Sequence, residues 1–179
     1  DVCSSDLLRY VAGGSAVPPP LRENFQANQA LFLLHISLGS IALLIGPWQF
    51  SKKLRVKKTP LHRIAGRVYV GACLLGGAAG LAIAPGSNGG PIATTGFSAL
   101  AVFWIGTTFM GYLSARRRDF PAHQRWMLLS FSLTLAGVTL RLYLPLALIN
   151  LEKFSEVYAV IAWACWVPNL LVGYWLARR

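Results

Sequence analysis

Two short stretches repeat one arrangement of side chains. In TPLHRIAGRVYV (59–70), His62 follows Thr59-Pro60 and is trailed by Arg63 and Arg67. In PAHQRWMLLS (121–130), His123 follows Pro121 and precedes Arg125. Each histidine sits where a basic segment gives way to a long apolar run. Thr59 reads as an N-cap with Pro60 at the first helical position, so His62 falls in the first turn of a helix. Pro121 and His123 open another helix in the same way. A helix N-terminus is the positive end of the dipole, and the arginines add charge of the same sign. Both oppose imidazolium and favour the neutral ring that a metal ligand requires.

Three chemistries fit this pair. In the first, the imidazoles and arginines are interfacial anchors that hold loop carbonyls and lipid phosphates. In the second, His62 and His123 ligate one b-type haem from facing helices, with its propionates against the basic loops. The iron would then exchange electrons with a redox partner or a quinone. The two ring nitrogens must in that case come within about 4 Å of each other across the iron. In the third, the cluster His62, Arg63, Arg67, His123 and Arg125 binds an anionic lipid or a small anion. Two further ionisable groups, His35 and Arg141, lie inside apolar runs. At about 1.5 Å per residue, Arg141 is about 24 Å along its run from Arg125. That is the far edge of a hydrocarbon core, and His35 reaches a similar depth, so the pair can face one outer cavity.

The elements that must position these groups are set by hydropathy. The chain has 179 residues, 55% hydrophobic and only 13% charged, with mean hydropathy +0.51. A soluble domain carries about 25% charged residues. Five stretches reach the roughly 20 apolar residues that cross a bilayer: 29–50, 61–84, 92–114, 124–148 and 157–177. Each must be a helix, because lipid offers no partner for free backbone groups. The expected fold is all-α, a single transmembrane helix bundle over 29–179, preceded by an extracytoplasmic segment at 8–28. The formal net charge is +11. No nucleic-acid motif accompanies it, so the charge reads as a topology signal and a contact for anionic lipid. Of the 17 Lys and Arg, only Arg9, Arg22, Arg141 and Lys153 lie away from the loops after the first and third spans and the C-terminal end. The positive-inside rule puts those loops and the C-terminus in the cytoplasm of a bacterial inner membrane. Trp48, Trp126 and Trp175 fall near the same ends, where amphipathic rings favour the interface.

The first residues, DVCSSDL, resemble a translated sequencing adapter, so 1–7 are set apart from the fold. An odd number of spans with an outer N-terminus then suggests a sixth helix lost upstream. Cys73 and Cys165 stand singly in apolar runs, and no CxxC occurs. No Asp or Glu lies inside a span, which argues against a proton-coupled carrier. No phosphate loop and no nucleophile–His–acid set is legible, so no reaction is assigned. Ala72, Gly76 and Gly80 form a row of small residues that lets another helix approach. Asn169, after Pro168, is placed to satisfy backbone groups that the proline frees.

The stretches LLHISLGSIALLIGPWQF, PLHRIAGRVYV, GFSALAVFWIGTT, HQRWMLLSFSLTLAGVTLRL and IAWACWVPNLLVGYW, in this order, resemble a bacterial membrane family catalogued as domain of unknown function 2306. The resemblance covers the chain from about Asn24 onward. It implies a multi-helix integral membrane protein, with a helix ahead of RYV…PPP and no established activity. His35, His62, Arg63, Arg67, His123, Arg125, Arg141 and Asn169 all fall within the resembling stretches.

Overall fold

The structure is a computed structural model that describes residues 17–149 and 151–178. Residues 1–7 and the first part of the 8–28 segment lie outside the described residues. Helices account for the architecture, and no strand occurs among the described residues. Five helical segments are long and apolar enough to cross a membrane: Gln29–Gln49, Thr59–Gly86, Gly90–Arg116, Phe120–Ile149 and Leu151–Ala177. They overlie the five expected runs and extend most of them by a few polar or capping residues.

The elements are α1 (Arg22–Ala27), α2 (Gln29–Gln49), α3 (Lys52–Lys57), α4 (Thr59–Ile83) and α5 (Gly90–Arg116). They are followed by α6 (Phe120–Thr134), α7 (Ala136–Ile149), α8 (Phe154–Ala164) and α9 (Val167–Ala177). Spans four and five are therefore each two helices in series. The second of these breaks has a clear cause. Pro168 lacks the N–H that would bond the Ala164 carbonyl, and the chain turns at Cys165 and Trp166. Asn169 serves the carbonyl next to it, donating Nδ2–H to Cys165 O at 3.1 Å, and it ties the break to α7 by donating to Thr139 Oγ1 at 2.9 Å. The start of α4 differs from the expected cap. Helix begins at Thr59 itself, Lys58 is the N-cap residue, and the Thr59 hydroxyl donates back to Arg55 O at 2.9 Å. The basic segment before it is long enough to close its own turn, α3, and Thr59 serves that turn. At α6, by contrast, Asp119 caps the helix by accepting Ala122 N–H at 3.0 Å.

Helices α2, α4, α5 and α6 form the bundle. α2 packs along α4, α4 on α5, and α5 on α6; a lighter contact between α2 and α6 closes the ring. α8 lies against α5 and α7, and α9 against α6. Small residues set the approaches. Ala72 and Gly76 are buried, and a methyl group at Gly76 would meet Leu38 Cβ at 3.2 Å. Gly46 of α2 faces the Phe131 ring so closely that no side chain fits.

At the centre, α4, α5 and α6 exchange polar groups rather than methyls. Tyr69, only 1% exposed, meets Ser130 Oγ at 3.1 Å and Thr134 Oγ1 at 3.0 Å. Trp104 Nε1–H donates to Thr134 Oγ1 at 2.9 Å, and Thr134 donates on to Ser130 O at 3.0 Å. Thr108 donates to Trp104 O and meets Ser130 Oγ, both at 2.7 Å. One consistent set of protons satisfies all five side chains: Ser130 gives its hydrogen to Thr108, and Tyr69 gives its own to Thr134.

Thr134→Val keeps the shape at this node but strands the Trp104 N–H, while the Tyr69 hydroxyl can turn to Ser130 Oγ. Unfolding of detergent-solubilised protein should show a loss of about 1 kcal/mol or more. An unchanged midpoint would mean that the cluster does not hold the three helices together.

Candidate functional site

Both repeated histidines open onto one cavity. It has a volume of about 800 Å³ and lies between the basic ends of α2, α4, α5 and α6. His62 and His123 line it together. Their helices face each other across the bundle: α4 touches α6 through Tyr69 in mid-bundle, and the cavity occupies the space between their N-terminal turns.

The lining is cationic. Lys52, Arg55, Arg63, Arg67, Arg116 and Arg118 contribute to it, and among the described residues no Asp or Glu does. Asp119, the acid nearest in sequence, commits its carboxylate to capping α6. The first residues of α4 and α6, Thr59 and Phe120, also line the cavity; with Asp119 capping α6, the uncapped N-terminus of α4 is the dipole end left beside it. Arg118 adds backbone evidence. It holds φ at 61°, in the left-handed region that favours glycine. A glycine would make the α5–α6 turn at less cost, yet the position carries a guanidinium at the cavity wall.

Two polar side chains deeper in the wall lack partners. Gln49 is 9% exposed, and neither its Nε2 nor its Oε1 has a hydrogen-bond partner among the described residues. His62 Nδ1 is likewise buried and unpartnered. His123 is held instead: its Nδ1–H donates to Gly111 O at 2.8 Å. A carbonyl only accepts, so this bond fixes the tautomer and leaves Nε2 as the lone-pair nitrogen of the neutral ring.

The remaining expected site residues divide. Arg125 is exposed and outside the cavity lining. His35 and Arg141 are together, but at the opposite end of the bundle, in a separate cavity. Sequence reading passed over Gln49 and Arg118. Gln49 ends an apolar run and looks like an ordinary boundary residue; nothing in the sequence marks Arg118 as left-handed.

Residues 32–177 match the family described as Predicted membrane protein (DUF2306), and the chain belongs to that family. No curated protein matches the chain, and no solved structure does.

An unpartnered buried amide contributes nothing to the empty protein. Gln49→Leu should leave thermal stability unchanged or raise it by up to about 1 kcal/mol. A loss greater than that in a thermal melt of the unliganded protein would show that Gln49 has a structural partner after all.

Proposed function

We propose that this member of the family is an inner-membrane protein that binds an anionic, phosphate-bearing ligand in the cavity at its basic end. The observation that carries this reading is the composition of the wall. Cations gathered around one space without a carboxylate repel one another, and an anion in the space relieves that repulsion. The N-terminus of α4, which no side chain caps, adds the positive end of its dipole. Gln49 supplies a donor and an acceptor in the deep wall, and His62 and His123 supply ring nitrogens. Arg63 and Arg67, one turn apart on α4, hold the mouth.

The ligand class has two sources, a lipid headgroup and a soluble phosphate. The purified protein should bind short-chain phosphatidylglycerol more tightly than short-chain phosphatidylcholine in calorimetry. The double variant Arg63→Gln/Arg67→Gln should weaken that binding at least about tenfold, equivalent to about 1.4 kcal/mol. High salt should weaken it as well. Inorganic phosphate that binds as well as the lipid would identify the soluble source. Equal affinity for both lipids, unaffected by the double variant, would sink the reading.

A second reading rests on His123. A ring held by a backbone carbonyl through Nδ1, with Nε2 left over, is the arrangement found in metal-ligating histidines. His62 on the facing helix would supply a second imidazole to a b-type haem, whose iron would carry electrons, and the arginines would hold its propionates. The same preparation, expressed with ample haem, decides it by absorption. A Soret band lost in both His62→Ala and His123→Ala supports haem, and a colourless protein rejects it.

We also propose that the basic end faces the cytoplasm, because its charge resists translocation. In intact cells, Ser87→Cys should react with a membrane-impermeant maleimide and Ser51→Cys should not. The reverse pattern would invert the topology.

A further inference from the structure

The cavity at the opposite end of the bundle has a volume of about 260 Å³. Its walls are largely apolar, with Phe32, Phe97, Leu100 and Leu140 among them. Asn24 lines the cavity and donates Nδ2–H to Ile83 O at 3.2 Å, which ties the segment before the first span to the end of α4.

Two polar groups of complementary kind reach this apolar space. Arg141 donates from NH1 to Gly137 O, its own i−4 carbonyl, at 2.9 Å. Its Nε and NH2 remain as donors. His35 donates Nδ1–H to Gly76 O at 2.8 Å. The carbonyl can only accept, so Nε2 is left as the acceptor of the neutral ring. The ring is held further by Trp104, edge-on with centroids 6.3 Å apart. No Asp or Glu among the described residues lines the cavity.

Arg141 is exposed at the edge of the cavity, and the fork formed by its Nε and NH2 suits a carboxylate through a charge-assisted bidentate pair. A lone-pair nitrogen in the same wall asks for a hydroxyl donor. The size sets the rest: an apolar cavity of about 150 Å³ holds benzene, so this one has room for two fused rings. We propose that the cavity is a binding site for a small hydroxy-aromatic carboxylate. The carboxylate pairs with Arg141, the hydroxyl donates to His35 Nε2, and the rings lie against Phe97, Leu100 and Trp104. This site is independent of the basic cavity and of what that cavity holds.

Three probes separate the contributions: 6-hydroxy-2-naphthoate, 2-naphthoate and 2-naphthol, titrated calorimetrically into the detergent-solubilised full chain. The hydroxy acid should bind about tenfold more tightly than the plain acid. Arg141→Gln should weaken both acids at least about tenfold and leave naphthol unchanged. His35→Leu should erase the difference between the two acids. Leu100→Trp narrows the cavity from α5, a helix that carries neither polar group, and should block all three probes, which keeps the test decisive if a charge variant folds poorly. Binding that no variant alters would be partition into the micelle and would overturn the proposal. So would an absence of naphthoate binding in the unaltered protein.

Discussion

Hydrocarbon offers no hydrogen-bond partner, and this one constraint organises the bundle. Any polar side chain at mid-membrane depth must find its partner on another part of the same chain. Trp104 and Tyr69 each bring a donor to that depth, and Thr134 takes both. Ser130 and Thr108 then close the set. Because the five groups come from α4, α5 and α6, satisfying them fixes the mutual rotation of three helices. Apolar contacts between the same helices constrain rotation less, since lipid tails are as apolar as leucine. The close approach at Gly46 adds α2, by seating Phe131 of α6 against its backbone.

Much of this fold was legible beforehand, and what was not has a physical reason. Hydropathy and length located every span because a helix in lipid has no alternative backbone pairing. The role of Asn169 was legible because Pro168 announces a missing N–H. The central cluster was not. A serine or threonine in a membrane helix commonly bonds its own preceding turn, as Thr107 does with Phe103 O. Only the rotation of the helices decides which hydroxyls turn inward, and one sequence does not encode that rotation visibly. The cap at Thr59 was misread for a related reason: its hydroxyl bonds backward to Arg55 instead of forward into α4. That His62 and His123 each lie in the first turn of a helix was legible from their Pro-x-His context, whereas the space between them depends on how far apart the bundle holds α4 and α6.

The two ends of the bundle solve opposite problems with similar residues. At the basic end, many exposed cations share a wide space, and water tempers their repulsion. At the other end, a single exposed guanidinium, that of Arg141, borders a smaller and largely apolar space. His123 and His35 are held alike, each by Nδ1 on the carbonyl of a buried glycine in a neighbouring helix. The absence of a Cβ at Gly111 and Gly76 allows the helices to come close enough for that reach.

The central cluster is also thin. Tyr69 lines the basic cavity, Thr134 lines the opposite one, and their oxygens are 3.0 Å apart. Between the two cavities, then, stands the hydrogen-bonded cluster, and each space ends on a residue of it. One set of hydroxyls is thus the floor of both, and a substitution that broke it would take the floor from the two spaces at once.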